Sequence, residues 1–139
     1  EALLTAIKVA SLGGVDVRLM LPFRSDSKTV YWATRSYITE LMEAGVKVYL
    51  YYGGFNHSKL LMIDSNLSSI GSANMDIRSF EDNFEVSALI YDRQKTIELE
   101  NRFLADLEQA TLIRPADWKA RPARHRFYEA LARLLSPLL

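Results

Sequence analysis

The sequence contains no cysteine. That excludes disulfides, thiolate metal sites and cysteine nucleophiles, and it fits a reducing compartment. Charge of neither sign is in excess, since 17 Lys and Arg balance 17 Asp and Glu. A chain built to neutralise a nucleic-acid backbone would carry a basic surplus. No apolar run approaches the roughly 20 residues that a helix needs to span a bilayer. Repeats, low-complexity tracts and an interdomain linker are also missing. Histidine is scarce: only His57 and His125 are present, so imidazole chemistry has two places to reside. No initiating Met stands at the start, and Glu1-Ala2-Leu3-Leu4 falls directly into helical periodicity. The chain is therefore expected to be part of a longer polypeptide, with any targeting or membrane segment lying upstream.

What is present is ordinary for a globular domain with its own core: 139 residues, 49% apolar and 24% charged. Leu3, Ile7 and Ala10 mark one face of a first helix, which Gly13-Gly14 stops. Val15 to Leu21 reads as a strand closed by Pro22. A second helix is expected over Thr29 to Ala44, with Ile38, Leu41 and Met42 inward and Gly45 just past its end. Val46 to Tyr51 alternates as a strand, so helix, strand, helix, strand predicts a parallel βαβ unit with a right-handed crossover. After Gly53-Gly54 come short strands at Lys59 to Ile63 and Leu67 to Ser72, joined at Asp64-Ser65-Asn66, and another at Glu85 to Tyr91. Asp92 caps a long helix to about Ala110 with a Leu99, Phe103, Leu107 stripe and a Glu98–Arg102 pair. The expected fold class is α/β: one domain over residues 1–139, a mixed sheet flanked by helices on both faces.

Several residues outside the centre invite two readings. Arg24 and Lys28 sit at a strand's C-terminal edge, where open α/β sheets bind ligands, but solvated loop residues are commoner. Tyr31, Trp32 and Tyr37 are read as core rather than as a lipid or nucleoside pocket. Residues 115–139 form a basic amphipathic segment. Lys119, Arg121, Arg124, Arg126 and Arg133 are set against the apolar face of Phe127, Ala130, Leu131, Leu134, Leu135 and Leu138. Such a helix can lie on anionic lipid. Docking of the apolar face onto the domain, arginines outward, is the favoured expectation.

The chemistry concentrates between Gly53 and Tyr91. His57, Lys59 and Asp64 stand as H-x-K-x4-D, followed by Gly71-Ser72-Ala73-Asn74 and then Asn83 and Glu85. Cleaving a phosphodiester without a metal requires a nucleophile, an acid for the leaving oxygen, and donors for the non-bridging oxygens. Imidazole can attack phosphorus near neutral pH and be re-formed. Two residues along a strand, Lys59 shares the face of His57 and can bind a phosphate oxygen, with Ser72 and Asn74 adding hydrogen bonds. A carboxylate must hold the imidazole tautomer. Asp64, seven residues on and at a turn, is read as architecture, which leaves Glu85 to orient His57.

His57-Ser58-Lys59-Leu60-Leu61-Met62-Ile63-Asp64 with Gly71-Ser72-Ala73-Asn74 resembles the HKD motif of the phospholipase D superfamily. The runs Asn74 to Phe80 and Asn83-Phe84-Glu85, with Gly14 to Val17, Leu41 to Val48 and the closing Ser136-Pro137-Leu138-Leu139, resemble the C-terminal half of bacterial cardiolipin synthases. The resemblance covers nearly the whole chain and is thinnest from Ile113 to Arg126. It implies a phosphatidyl transfer through a phosphohistidine with no metal or other cofactor, condensing two phosphatidylglycerols to cardiolipin and glycerol. It also implies catalytic roles for His57, Lys59, Asp64, Asn74 and Glu85 and phosphate binding by Lys59, Ser72 and Asn74, with the motif's Asp64 keeping its structural part.

Family sites pair two such motifs, and this chain has one, because His125 lacks a lysine two places on. A second HKD half is expected as partner, in the same polypeptide or a homodimer. In two-motif members the first histidine is generally the nucleophile, which would make His57 acid and then base. The partners implied are a phospholipid and a membrane surface rather than nucleic acid, at the bacterial cell membrane, peripheral or facing the cytoplasm. Two other readings are a homodimeric phosphodiesterase or nuclease and an inactive half that only binds phosphate or anionic headgroups.

Overall fold

The computed structural model describes residues 2–25, 27–54, 56–76, 79–80 and 82–135, Leu135 by its backbone alone. Ile77 and Arg78 of the motif region, the closing run from Ser136 to Leu139, and with it the Leu138 position of the C-terminal apolar face, lie outside these residues.

Helix α1 (Ala2–Leu12) leads to β1 (Arg18–Pro22), α2 (Lys28–Ser36), α3 (Ile38–Glu43) and β2 (Lys47–Tyr51). The first strand begins three residues later than expected. Asp16, just before it, accepts from Arg18 and Lys47 instead of entering the ladder. β1 and β2 pair in parallel, Leu19 opposite Val48, as the βαβ reading requires.

The helix expected over Thr29 to Ala44 is two helices. The Ser36 hydroxyl donates to the Ala33 carbonyl at 2.6 Å, the acceptor that the Tyr37 N–H would use in a continuous helix. Tyr37 N–H goes to Thr34 O instead, at 3.4 Å, and the axis breaks there. α3 then ends where the sequence placed its stop. Gly45 sits at φ 91, with Val46 N–H on Leu41 O and Gly45 N–H on Met42 O, each at 3.0 Å. That is the Schellman closure, which a β-carbon would strain.

Ile38, Leu41, Val46 and Val48 form the buried core, with Leu4 and Ile7 of α1, Leu19 and Leu21 of β1, Tyr37 and Trp118 packed against it. Trp32, read as core, is half-buried against the C-terminal helix rather than in this cluster.

The chain continues through β3 (Lys59–Ile63), β4 (Leu67–Gly71), β5 (Ser87–Ile90), α4 (Arg93–Leu107), β6 (Ala110–Leu112), α5 (Pro115–Lys119) and α6 (Ala123–Leu135). The strands make an α/β domain with two sheets in place of the single mixed sheet expected. β1-β2-β6 is mixed, and β3-β4-β5 is antiparallel throughout. Helix α4 packs against strands of both. Asp92 caps it, accepting Lys95 N–H at 2.9 Å, as read from the sequence. Glu98, however, pairs with Lys95 at 3.0 Å rather than with Arg102. The helix expected to run to about Ala110 stops at Leu107, and Ala110 belongs to β6, which pairs antiparallel with β2.

The C-terminal segment departs most from expectation. α6 docks on α2, but through the face that carries Glu129 and Ala132, 4% and 5% exposed. Phe127, Leu131 and Leu134, expected to dock, are exposed. Two arginines expected in solvent are engaged instead: Arg121 with Glu129, and Arg133 with Glu40, each at 2.7 Å. The docked side also sets the His125 and Tyr128 rings against Trp32, and of the two ion pairs only Arg121–Glu129 is largely buried.

Candidate active site at one end of the antiparallel sheet

The β3–β4 hairpin turns at Asp64 and Ser65, both at positive φ (49° and 54°), with Asn66 N–H donating to Ile63 O at 3.1 Å. Asp and Ser tolerate this left-handed backbone better than branched residues would. Ser65 anchors the tip to α4: its N–H and hydroxyl donate to the Glu100 carboxylate at 3.0 and 2.6 Å. Behind the strands, Ser68 and Thr96 are fully buried and their hydroxyls meet at 3.4 Å. The hairpin is thus fixed in register from its tip and its back.

That register collects the motif at the other end. Lys59 opens β3 opposite Gly71, which closes β4, and Gly71 lies opposite Ser87, which opens β5. A β-carbon at residue 71 would meet Val86 O at 2.5 Å and Ser87 Cα at 2.8 Å, so only glycine lets the strands close here. Ser72 follows directly. Its N–H donates to Val86 O at 3.0 Å and its side-chain Oγ accepts Val86 N–H at 3.1 Å. Its hydroxyl donates to Glu85 Oε2. Asn83 reaches the other carboxylate oxygen at 3.5 Å.

The Ser72 hydrogen bond is the main cause that holds the Glu85 carboxyl below its ordinary 4.5. The Ser79 hydroxyl, Asn83 and the positive charge of Lys59 act in the same direction, against a desolvation that raises it. Glu85 is therefore a carboxylate near neutral pH, with the Lys59 ammonium close enough to be felt.

One of the expected placements changes, and Asp64 keeps the turn position expected of it. His57 does not share a strand with Lys59: it lies in the irregular segment before β3, where Ser58 N–H donates to the Asn56 side chain at 2.9 Å. Such a bond competes with the ladder and starts the strand late. His57 is exposed, and Lys59 Nζ donates to its carbonyl oxygen at 2.7 Å. Asp64 stands at the far end of the hairpin, roughly 15 Å from Lys59 by the rise of a strand. The structure thus brings Lys59, Ser72 and Glu85 together at one end of the sheet, where the chain also enters from His57, and it does not bring Asp64 there.

Asn74 lies in the loop after β4, exposed, its N–H donating to Ser79 Oγ at 3.1 Å. Ser79 is a site residue outside the H-x-K-x4-D and G-S-x-N patterns. It is 5% exposed, it ties the Asn74 backbone to the Glu85 neighbourhood, and its own N–H goes to Asp76 at 2.7 Å. The Asp76-x-x-Ser79 spacing, that of a side chain accepting the N–H three residues on, was the available signal. Among the described residues no three His, Asp or Glu side chains gather as metal ligands would. An exposed imidazole, an ammonium, a hydroxyl and an ionised carboxylate at one sheet end can bind a phosphate, donate to its oxygens and orient a ring.

Residues 1–107 match the family described as cardiolipin synthase, PLD-like domain. Over all 139 residues the chain is 53% identical to a cardiolipin synthase of Geobacillus thermodenitrificans and 50% identical to cardiolipin synthase 2 of Bacillus cereus. It spans 28% and 27% of the lengths of those relatives. Nuc from Salmonella typhimurium, a phospholipase D family member of known crystal structure, superposes with a TM-score of 0.69 at 18% identity, over 80% of this chain and 72% of that one. That likeness shows the same fold. The chain belongs to the phospholipase D-like domain family of the cardiolipin synthases.

Proposed function

We propose that this chain supplies one of the two HKD half-sites of a phosphatidyltransferase that condenses two phosphatidylglycerols into cardiolipin and glycerol. The single observation that carries the reading is the gathering of Lys59, Ser72 and ionised Glu85 at the sheet end that His57 enters, in a chain about half identical throughout to cardiolipin synthases. Residues 1–139 act as one domain, the C-terminal half of a two-motif enzyme, and the partner half-domain provides the second histidine. The site works at the bacterial membrane, where its lipid substrate resides.

In the proposed reaction the partner's imidazole nitrogen attacks the phosphorus of one phosphatidylglycerol. A P–N bond forms and the P–O bond to the terminal glycerol breaks. His57 gives that glycerol oxygen its proton. It then takes the proton from the hydroxyl of a second phosphatidylglycerol, whose oxygen attacks phosphorus and expels the partner's imidazole. One imidazole can serve as acid and then base because its ordinary pKa lies near 6.5. Lys59 and Asn74 bind the non-bridging oxygens, Ser72 supports them, and Glu85 holds the His57 ring. Asp64 keeps the hairpin turn.

The test is His57→Ala in the complete enzyme, assayed for cardiolipin formed from phosphatidylglycerol. Transfer is expected to fall to background while the protein stays folded. Turnover at the wild-type rate would remove His57 from the site. Release of phosphatidic acid with water as acceptor, and no cardiolipin, would make the chain part of a hydrolase instead.

A further inference from the structure

The C-terminal helix presents a surface that this chemistry does not use. α6 faces α2 with His125 and Tyr128, whose rings lie 5.2 and 5.4 Å from that of Trp32, and with buried Glu129 and Ala132. At 3.6 residues per turn, Phe127, Ala130, Leu131 and Leu134 point the opposite way. Phe127, Leu131 and Leu134 are 66%, 49% and 78% exposed. Arg124 and Arg126, both exposed, flank this strip, one on each side at the same pitch. The helix has a single acid, Glu129, and it is turned inward to Arg121 at 2.7 Å. Arg133 lies on the inner edge, bonded to Glu40. The outer face therefore offers an apolar strip with positive charge alone on its flanks.

We propose that this face of α6 lies in the plane of an anionic phospholipid surface, Phe127, Leu131 and Leu134 among the acyl chains and Arg124 and Arg126 at the headgroups. A helix with its apolar side outward and basic flanks is built for that position. The charges select the occupant. A second copy laid on the same face would set Arg124 and Arg126 against their own counterparts, like charge on like. An anionic bilayer satisfies both the strip and its flanks. Nothing in this face belongs to the β3-β4-β5 site, so the inference stands apart from the reading of its reaction.

The chain has no cysteine, so an environment-sensitive fluorophore on Leu131→Cys reports on this face. The label is placed in the complete native polypeptide, with any cysteine outside these 139 residues replaced by serine. Vesicles of phosphatidylcholine with an equal share of phosphatidylglycerol are expected to shift its emission to the blue, and nitroxides on the acyl chains to quench it. Vesicles of phosphatidylcholine alone should do neither, and a label at Asn101→Cys on α4 should stay unchanged. Arg124→Gln with Arg126→Gln should weaken partition of the labelled face about 30-fold, since each basic residue near an anionic surface contributes severalfold. No quenching in the phosphatidylglycerol vesicles would overturn the proposal. So would emission already shifted before lipid is added, which would show the strip covered by protein. A His57→Ala protein that loses transfer but keeps the shift separates this surface from the site.

Discussion

The two three-stranded sheets of this chain are held by different means. In β1-β2-β6, Val48 is fully buried and packs with Ile38, Leu41 and Val46 under α3. In β3-β4-β5, Leu61 and Leu89 are 46% and 60% exposed, and the fully buried groups behind the sheet are polar, Ser68 and Thr96. The first sheet is stabilised by apolar burial. The second is fixed by register, by a hairpin tip bonded to Glu100 and by one hydroxyl contact at its back. The difference matters for the site. Lys59, Ser72 and Glu85 sit where water still reaches, none of them buried, so a phosphate can enter. A sheet packed like the first could not gather them as cheaply.

The comparison breaks most directly by truncation. Ile38→Ala, at a fully buried position, is expected to cost about 3 kcal/mol, measured by urea unfolding. The matched change in the second sheet, Leu61→Ala, should cost less than about 1 kcal/mol, because nearly half of that side chain is already in water. Equal losses would mean that the outer face of β3-β4-β5 is covered in solution and that the contrast is false.

Next in size is Glu85→Gln. Activity of the complete enzyme is expected to fall about 100-fold, the scale on which acid–base assistance from the ring it positions is lost, with the urea midpoint little changed because the group is only half-buried. Ser72→Ala should raise the Glu85 pKa back toward 4.5, the acid limb of the rate profile moving up with it, since the Ser72 bond is the main cause of the depression. A profile that does not move would deny that this bond sets the carboxylate.

The same contrast explains what was legible in the sequence. Periodicity marked the first sheet and its core well: Ile38, Leu41 and the Gly45 stop followed from spacing alone. It failed at Tyr37, because a competing Ser36 hydroxyl leaves no trace in an apolar pattern. It failed again in α6, where the apolar stripe was read as the docking face but the side with Glu129 and Ala132 docks, His125 and Tyr128 against Trp32. In the second sheet the motif residues were found by type and order, and antiparallel pairing does carry Lys59 to Gly71. The strand face shared by His57 and Lys59 was wrong, since Asn56 holds the histidine outside the ladder. Ser79 went unnoticed because its role lies in a loop contact that only the folded chain forms.

The smallest expected effect sharpens the comparison from the side of the first sheet. Asp16 accepts from Arg18 and Lys47 at 2.6 and 2.7 Å, at the start of the β1–β2 ladder. The Arg18 bond foremost, then that of Lys47, lowers its pKa from the ordinary 3.8 to about 2. A carboxylate depressed in the folded state stabilises above its unfolded pKa and loses that contribution as pH falls through the folded one. The excess stability of the wild type over Asp16→Asn should therefore be constant above pH 4 and vanish between about 4 and 2. All three partners are exposed, so the excess should be only on the order of 0.5 kcal/mol and should shrink in 1 M salt. A larger, salt-insensitive difference would mean that a polar clamp, and not apolar burial alone, holds the first sheet, and the two regions would then differ in degree rather than in kind.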